Sequence, residues 1–157
     1  MIKEVHVSFE AAKQLKARGF DEPTTHFYEQ GEDLSVVFKK WSNGNKKRNS
    51  VMNPKLGRQT NFSAPTQQLA MRWLREFKYI FLCITADYEL VEEDEDSDNW
   101  DEKLYYRVEV EEIREDCLHS ITWNTEFENR RFNTYEDAAE AGILYALQNL
   151  PYKRKSR

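Results

Sequence analysis

The run Tyr79-Ile80-Phe81-Leu82-Cys83-Ile84-Thr85-Ala86-Asp87-Tyr88-Glu89-Leu90 is the strongest constraint on how this chain folds. It is dense in aromatic and β-branched residues, and its second part alternates apolar with polar, the pattern of a strand with one buried face. A second alternation follows, in which Tyr106, Val108 and Val110 are interleaved with Arg107, Glu109 and Glu111. Residues 118–127 read as a third strand, with His119, Ile121, Trp123, Thr125 and Phe127 on one face. The connections are too short for helical crossovers, so the three strands are expected to form an antiparallel meander. Cys83, amid apolar neighbours, is expected to be a small buried hydrophobe.

Helices are predicted on either side of this sheet. Ser8 suits an N-cap and Gly19 the position after the last turn, with Phe9, Ala12 and Leu15 as an apolar stripe between them. A hairpin is expected next, from a strand at 24–28, a turn at Gln30-Gly31-Glu32-Asp33 and a strand at 34–41, with a further tight turn at Asn43-Gly44. Residues 45–62 show no period and read as a long loop, either mobile or functional. Ser63-Ala64-Pro65-Thr66-Gln67-Gln68 is expected to open the next helix, with proline tolerated in its first turn. Leu69, Trp73 and Phe77, with Ala70 and Leu74 beside them, form its core stripe, and Arg72, Arg75 and Glu76 fall outside it. In the last helix Thr134 is the cap, Glu136 and Asp137 sit at the positive end, and Ala138, Ala139, Gly142, Ile143, Ala146, Leu147 and Leu150 make one face before Pro151 stops it.

The expected fold class is therefore α+β: an antiparallel three-stranded meander flanked by helices (α-β-β-β-α), preceded by a helix and a β-hairpin. The chain of 157 residues is expected to be a single domain, with residues 1–44 as helix plus hairpin, 45–62 as basic loop, 63–151 as the α-β-β-β-α unit and 152–157 as basic tail. Nine Phe, eight Tyr and four Trp supply enough bulk for a real core.

The net charge of −5 conceals a partition along the chain. Residues 34–75 contain nine basic residues and no acidic one, whereas residues 76–137 contain twenty acidic and six basic. The basic side chains include Lys39, Lys40, Lys46, Lys47, Arg48, Lys55 and Arg58, with Trp41 among them. The acidic block peaks at Glu92, Glu93, Asp94, Glu95, Asp96 and Asp98, with Trp100, Asp101 and Glu102 close behind. Like charges repel, so each run reads as a solvated loop or as a contact surface for a partner.

Catalytic and metal chemistry is not marked. His6, His26 and His119 are scattered, and neither Cys83 nor Cys117 has a metal-ligand spacing. Cys117 and His119 are two apart on a strand end, without a third orienting group. The five glycines are spread singly, so there is no phosphate-cradling loop. The acidic run lacks the spacing of a calcium loop. Neither an enzyme nor a cofactor is expected. No apolar run approaches the ~20 residues of a membrane span. The opening Met1-Ile2-Lys3-Glu4 has no signal-peptide core, so a cytoplasmic protein without membrane contact is expected.

Two resemblances add context. Ser63-Ala64-Pro65-Thr66-Gln67 with Trp73-Leu74-Arg75-Glu76, then Thr134-Tyr135-Glu136-Asp137-Ala138 with Glu140-Ala141-Gly142 and Ala146-Leu147, resemble an uncharacterised family of small proteins from gut Bacteroidetes and their phages or prophages. Val7-Ser8-Phe9-Glu10-Ala11-Ala12 with Leu15 and Gly19-Phe20 is similar to that group too. This resemblance implies an accessory cytoplasmic protein of mobile elements and no assigned activity. The order helix–strand–strand–strand–helix also resembles that of double-stranded-RNA-binding domains, which place a basic cluster at the start of the last helix. Here that position reads Thr134-Tyr135-Glu136-Asp137-Ala138 and is acidic, so the resemblance is one of topology.

The leading expectation is a non-enzymatic accessory or interaction protein. Its acidic loop 92–102 would contact a protein partner, with Trp100 as an aromatic anchor, in the manner of a nucleic-acid mimic. The alternative is a nucleic-acid-binding protein that uses the basic segment 39–58.

Overall fold

The computed structural model describes residues 4–41, 52–53, 58–92, 100–113, 120–122 and 130–149. Helix α1 (Phe9–Ala17) starts where Ser8 turns its side chain onto the Ala11 N–H at 3.2 Å. It ends in a paired closure: the Phe20 N–H donates to the Leu15 carbonyl at 2.9 Å and Gly19 N–H to that of Lys16 at 3.1 Å. Gly19 supplies the φ of +93° that this closure requires. Phe20 then folds back into the core and meets Trp73 edge to face, with ring centroids 5.6 Å apart.

The predicted hairpin is β1 (His26–Gln30) and β2 (Val36–Lys40), paired antiparallel from His26↔Lys40 to Gln30↔Val36. Its turn holds Leu34 at φ +67°, and Asp33 Oδ1 accepts from both the backbone N–H and the hydroxyl of Ser35. The tight turn expected at Asn43-Gly44 lies outside the described residues.

The region 45–62 departs from expectation. It contains a short ladder of β3 (Met52–Asn53) with β4 (Arg58–Gln59), and residues 61–62 begin a strand, β5 (Asn61–Ala64). β5 pairs antiparallel with β1, giving a three-stranded sheet in the order β2-β1-β5. Ser63 and Ala64 therefore extend a strand instead of opening a helix. Both are buried, and Phe62 meets Phe9 edge to face. Pro65 lies outside the helix, and its carbonyl accepts from the Val7 N–H at 3.0 Å.

Helix α2 (Gln67–Lys78) is capped by Thr66, whose hydroxyl accepts from the Leu69 N–H, and it closes at Tyr79 with a left-handed φ of +57°. Gln67, Ala70, Trp73 and Leu74 are buried. Phe77, expected in the core stripe, is 56% exposed. It sits in the last turn, where the helix leaves the core, and its ring rests against Trp73 at 6.4 Å.

The meander is present: β6 (Ile80–Glu92), β7 (Trp100–Ile113) and β8 (Ser120–Thr122) are antiparallel in the order β6-β7-β8. Residues 118–119 and 123–127 of the expected third strand lie outside the described residues. Alternation sends Ile80, Leu82, Ile84, Val108 and Val110 inward, where they join the buried cluster or pack against it. The same period-two geometry sends Cys83 the other way, and it is exposed, contrary to expectation.

Helix α3 (Tyr135–Asn149) is capped by Thr134, whose Oγ1 accepts from the Asp137 N–H at 3.0 Å. Its small-residue face lies on the meander: a Cβ at Gly142 would come within 2.7 Å of both Leu82 Cδ2 and Val108 Cγ2. One hydrophobic cluster takes residues from all three helices, β6 and β7, among them Leu15, Phe20, Trp73, Leu74, Ile80, Val108, Ile143 and Leu147. The chain is thus α+β, with helices and an antiparallel meander sharing a core.

Candidate protein-docking ribbon

β6 and β7 stay paired without a break from Ile80↔Glu112 to Glu92↔Trp100. At about 3.4 Å per residue, this two-stranded ribbon is roughly 40 Å long. The helical layer covers only part of it. Gly142 of α3 packs on Leu82 and Val108, and Tyr135, the first residue of α3, meets Tyr106 edge to face at 6.3 Å. The same inward-facing row continues past Tyr106 as Tyr88, Leu104 and Leu90, which are 64%, 52% and 57% exposed. An apolar row made to be covered therefore runs on beyond its cover among the described residues.

The opposite face of this distal ribbon is braced by charge. Asp87 pairs with Arg107 at 2.8 Å, and Glu89 pairs with Arg131. The Arg131 guanidinium also lies 4.7 Å from the Tyr105 ring centroid. Arg131 is held there because Phe132 and Tyr106 exchange two backbone hydrogen bonds, at 2.8 and 2.9 Å.

The predicted acidic residues divide. Glu92, Trp100 and Asp101 were expected in a loop, but the strands run through them, with Glu92 opposite Trp100 and Val91 opposite Asp101. Cross-strand pairing between two long strands extends the ladder further than residue type alone indicates. Glu93, Asp94, Glu95, Asp96 and Asp98 lie outside the described residues, in the segment joining the two strand ends. The predicted basic residues are less concentrated. Lys39 and Lys40 lie on β2, and Lys39 pairs with Glu29 across the hairpin. Trp41, expected to be available for stacking, already stacks on Phe27 with centroids 3.8 Å apart and planes 14° off parallel. Arg58 lies in β4 opposite Asn53, while Lys46, Lys47, Arg48 and Lys55 are outside the described residues.

A histidine pair is present that sequence reasoning missed. His6 and His26 meet edge to face with centroids 4.3 Å apart, and Phe38 stacks on His26 at 5.1 Å. Burial is the main cause holding both imidazoles below their ordinary pKa; their mutual repulsion adds to it for His6, and Lys40 for His26, while Glu4 opposes. The pair is brought together by the bridge His6↔Thr66 and the β1–β5 ladder, which no local spacing signals. Next to it is a cleft of about 370 Å³ whose described lining includes Glu4, His6, Thr24, Thr25, Thr66 and Arg72, with no serine or cysteine among the described residues that line it. A wider cleft of about 570 Å³ beside α3 is lined by Arg130, Asn133, Asp137, Tyr145 and Gln148 among others. Among the described residues no group of three His, Cys, Asp or Glu side chains converges in a way that could hold a metal ion. No described helix is long and apolar enough to cross a membrane. In comparisons with family models, curated proteins and solved structures, no match to this chain was found.

Proposed function

We propose that this chain is a non-enzymatic accessory protein of phage or prophage origin, acting in the cytoplasm, that binds a basic protein partner along the distal β6–β7 ribbon and its acidic tip. The observation that carries this reading is the exposed row of Tyr88, Leu90 and Leu104 beyond the start of α3. Exposed apolar rows bordered by charge mark interaction sites, and buried aromatic anchors supply most of the affinity in such contacts. The surrounding carboxylates set the sign of the partner and its rate of encounter, as an array of phosphates would. Nucleic-acid binding through residues 39–58 has less support, since the Trp41 ring and the Lys39 ammonium already have partners within the fold.

The test uses a defined probe, an amphipathic peptide of alternating Lys and Leu, with its Glu/Leu counterpart as control. The Lys/Leu peptide is expected to bind in a salt-sensitive way and the control not to bind. Tyr88→Ala with Leu104→Ala is expected to weaken binding about tenfold or more, the loss of one to two anchors. Equal binding of both peptides, or affinity untouched by the double substitution, would falsify the reading. In parallel, a mobility shift of DNA or RNA at low salt, abolished by Lys39→Glu with Lys40→Glu, would favour the basic segment instead.

A further inference from the structure

β2 and the distal half of β6 are both sheet edges: among the described residues β2 pairs only with β1, and β6 only with β7. An edge strand presents a row of backbone N–H and C=O groups on which another strand can pair. The two edges also carry complementary patterns. β2 begins apolar, with exposed Val36, Val37 and Phe38, and ends cationic, with Lys39 and Lys40. Distal β6 begins acidic, with Asp87 and Glu89, and ends apolar, with exposed Leu90 and Val91.

Laid antiparallel, the two segments set valine and phenylalanine against leucine and valine, and lysine against carboxylate. Laid parallel, carboxylates would face valines. An antiparallel pair of two β2 strands would set lysines against valines at both ends, so Lys39 and Lys40 disfavour that contact while suiting the acidic edge. We propose that β6 of a second copy of this chain docks antiparallel on β2, building one continuous sheet in the order β5-β1-β2-β6-β7-β8 across the two copies. Lys39, Asp87 and Glu89 hold exposed ion pairs within their own chain, which are weak enough to exchange partners. The two edges differ, so the contact is heterologous and propagates until it closes into a ring or is capped. This inference rests on the ribbon reading for the accessibility of β6, and it names one occupant for that edge.

Sedimentation velocity of the full chain across a concentration range tests it. At low salt the mass is expected to rise with concentration. At about 1 M salt, where the Debye length is about 3 Å, it returns to that of one chain. Val37→Lys spoils the β2 edge and Leu90→Lys the β6 edge, both at exposed positions that leave the core untouched. Each variant alone is expected to be monomeric, while an equimolar mixture forms a heterodimer of twice the mass, because each supplies the edge the other lacks. A wild-type chain that stays monomeric at every concentration overturns the proposal. So does a dimer that survives in both single variants, or a mixture that stays monomeric. A monomeric wild type that still binds the Lys/Leu peptide through Tyr88 and Leu104 removes this inference and leaves the ribbon reading standing. Assembly with no peptide binding does the reverse.

Discussion

The Glu140 carboxylate accepts from the Ser8 backbone N–H at 3.0 Å and from Gln67 Nε2 at 3.3 Å, and Gln67 Nε2 also donates to the Glu136 carbonyl at 3.0 Å. One half-buried acid thus joins the cap of α1 and the first residue of α2 to α3, with its charge at the positive end of α1. Glu140→Ala leaves the Ser8 N–H without this acceptor and Gln67 Nε2 with the Glu136 carbonyl alone, and is expected to cost about 1–3 kcal/mol, seen as a lower urea midpoint, with Glu140→Gln costing less. The histidine pair gives a second expectation. His6 and His26 titrate lower in the folded chain than their ordinary 6.5, so the unfolded chain binds more protons just below that value. Their contribution is complete above pH ~6.5 and is lost as pH falls through the folded values. Lys40 strengthens the effect at His26, Glu4 opposes it at both rings, and Arg72 lines the neighbouring cleft. Glu10, held low mainly by the Gln14 hydrogen bond, and Asp33, held low mainly by Ser35, lose their contributions only at more acid pH. Urea midpoints are expected to fall between pH 7 and 5, and His6→Gln with His26→Gln to flatten that slope. An unchanged slope in the double variant counts against the pair as its source.

The elements show where close packing replaces residue preference. Gly142 is the point at which α3 meets the meander, with Leu82 and Val108 methyls filling the space a Cβ would take. Gly142→Ala gains about 1 kcal/mol of helix propensity and is expected to lose about 1–3 kcal/mol to overpacking, a net destabilisation measurable by urea unfolding. A Gly142→Ala chain more stable than wild type contradicts so close an approach. The same element illustrates what was legible in the sequence: the Thr134 cap and the small-residue face were both readable, because caps and periodicity are local signals. The Ser8 and Gly19 ends of α1 were readable for that reason too. β5 was not, because Ser63-Ala64-Pro65 resembles a helix start and its strand character comes from pairing with β1, which is distant in sequence. The exposure of Cys83 is hidden in the sequence by its apolar neighbours, which mask the alternation, and that of Phe77 by a spacing of four that continues past the point where the core ends.

At the scale of the whole molecule, part of the charge partition falls on separate sheets. β2, with Lys39 and Lys40, belongs to the sheet β2-β1-β5, and the acidic stretch joins the ends of β6 and β7 in the other. The acidic side of the candidate site was legible as composition. Its apolar row was not, because Tyr88, Leu90 and Leu104 read as ordinary strand residues until the reach of α3 along the ribbon is known. The proposed docking arm rests on that mismatch between a long ribbon and a shorter helical cover. Hydrogen exchange across the whole chain, with and without the Lys/Leu peptide, tests this most directly. Slowed exchange is predicted at residues 86–92 and 100–106, with β2 and the histidine cleft unchanged. Protection confined to β2 or to that cleft, with the distal ribbon exchanging as freely as before, would contradict it.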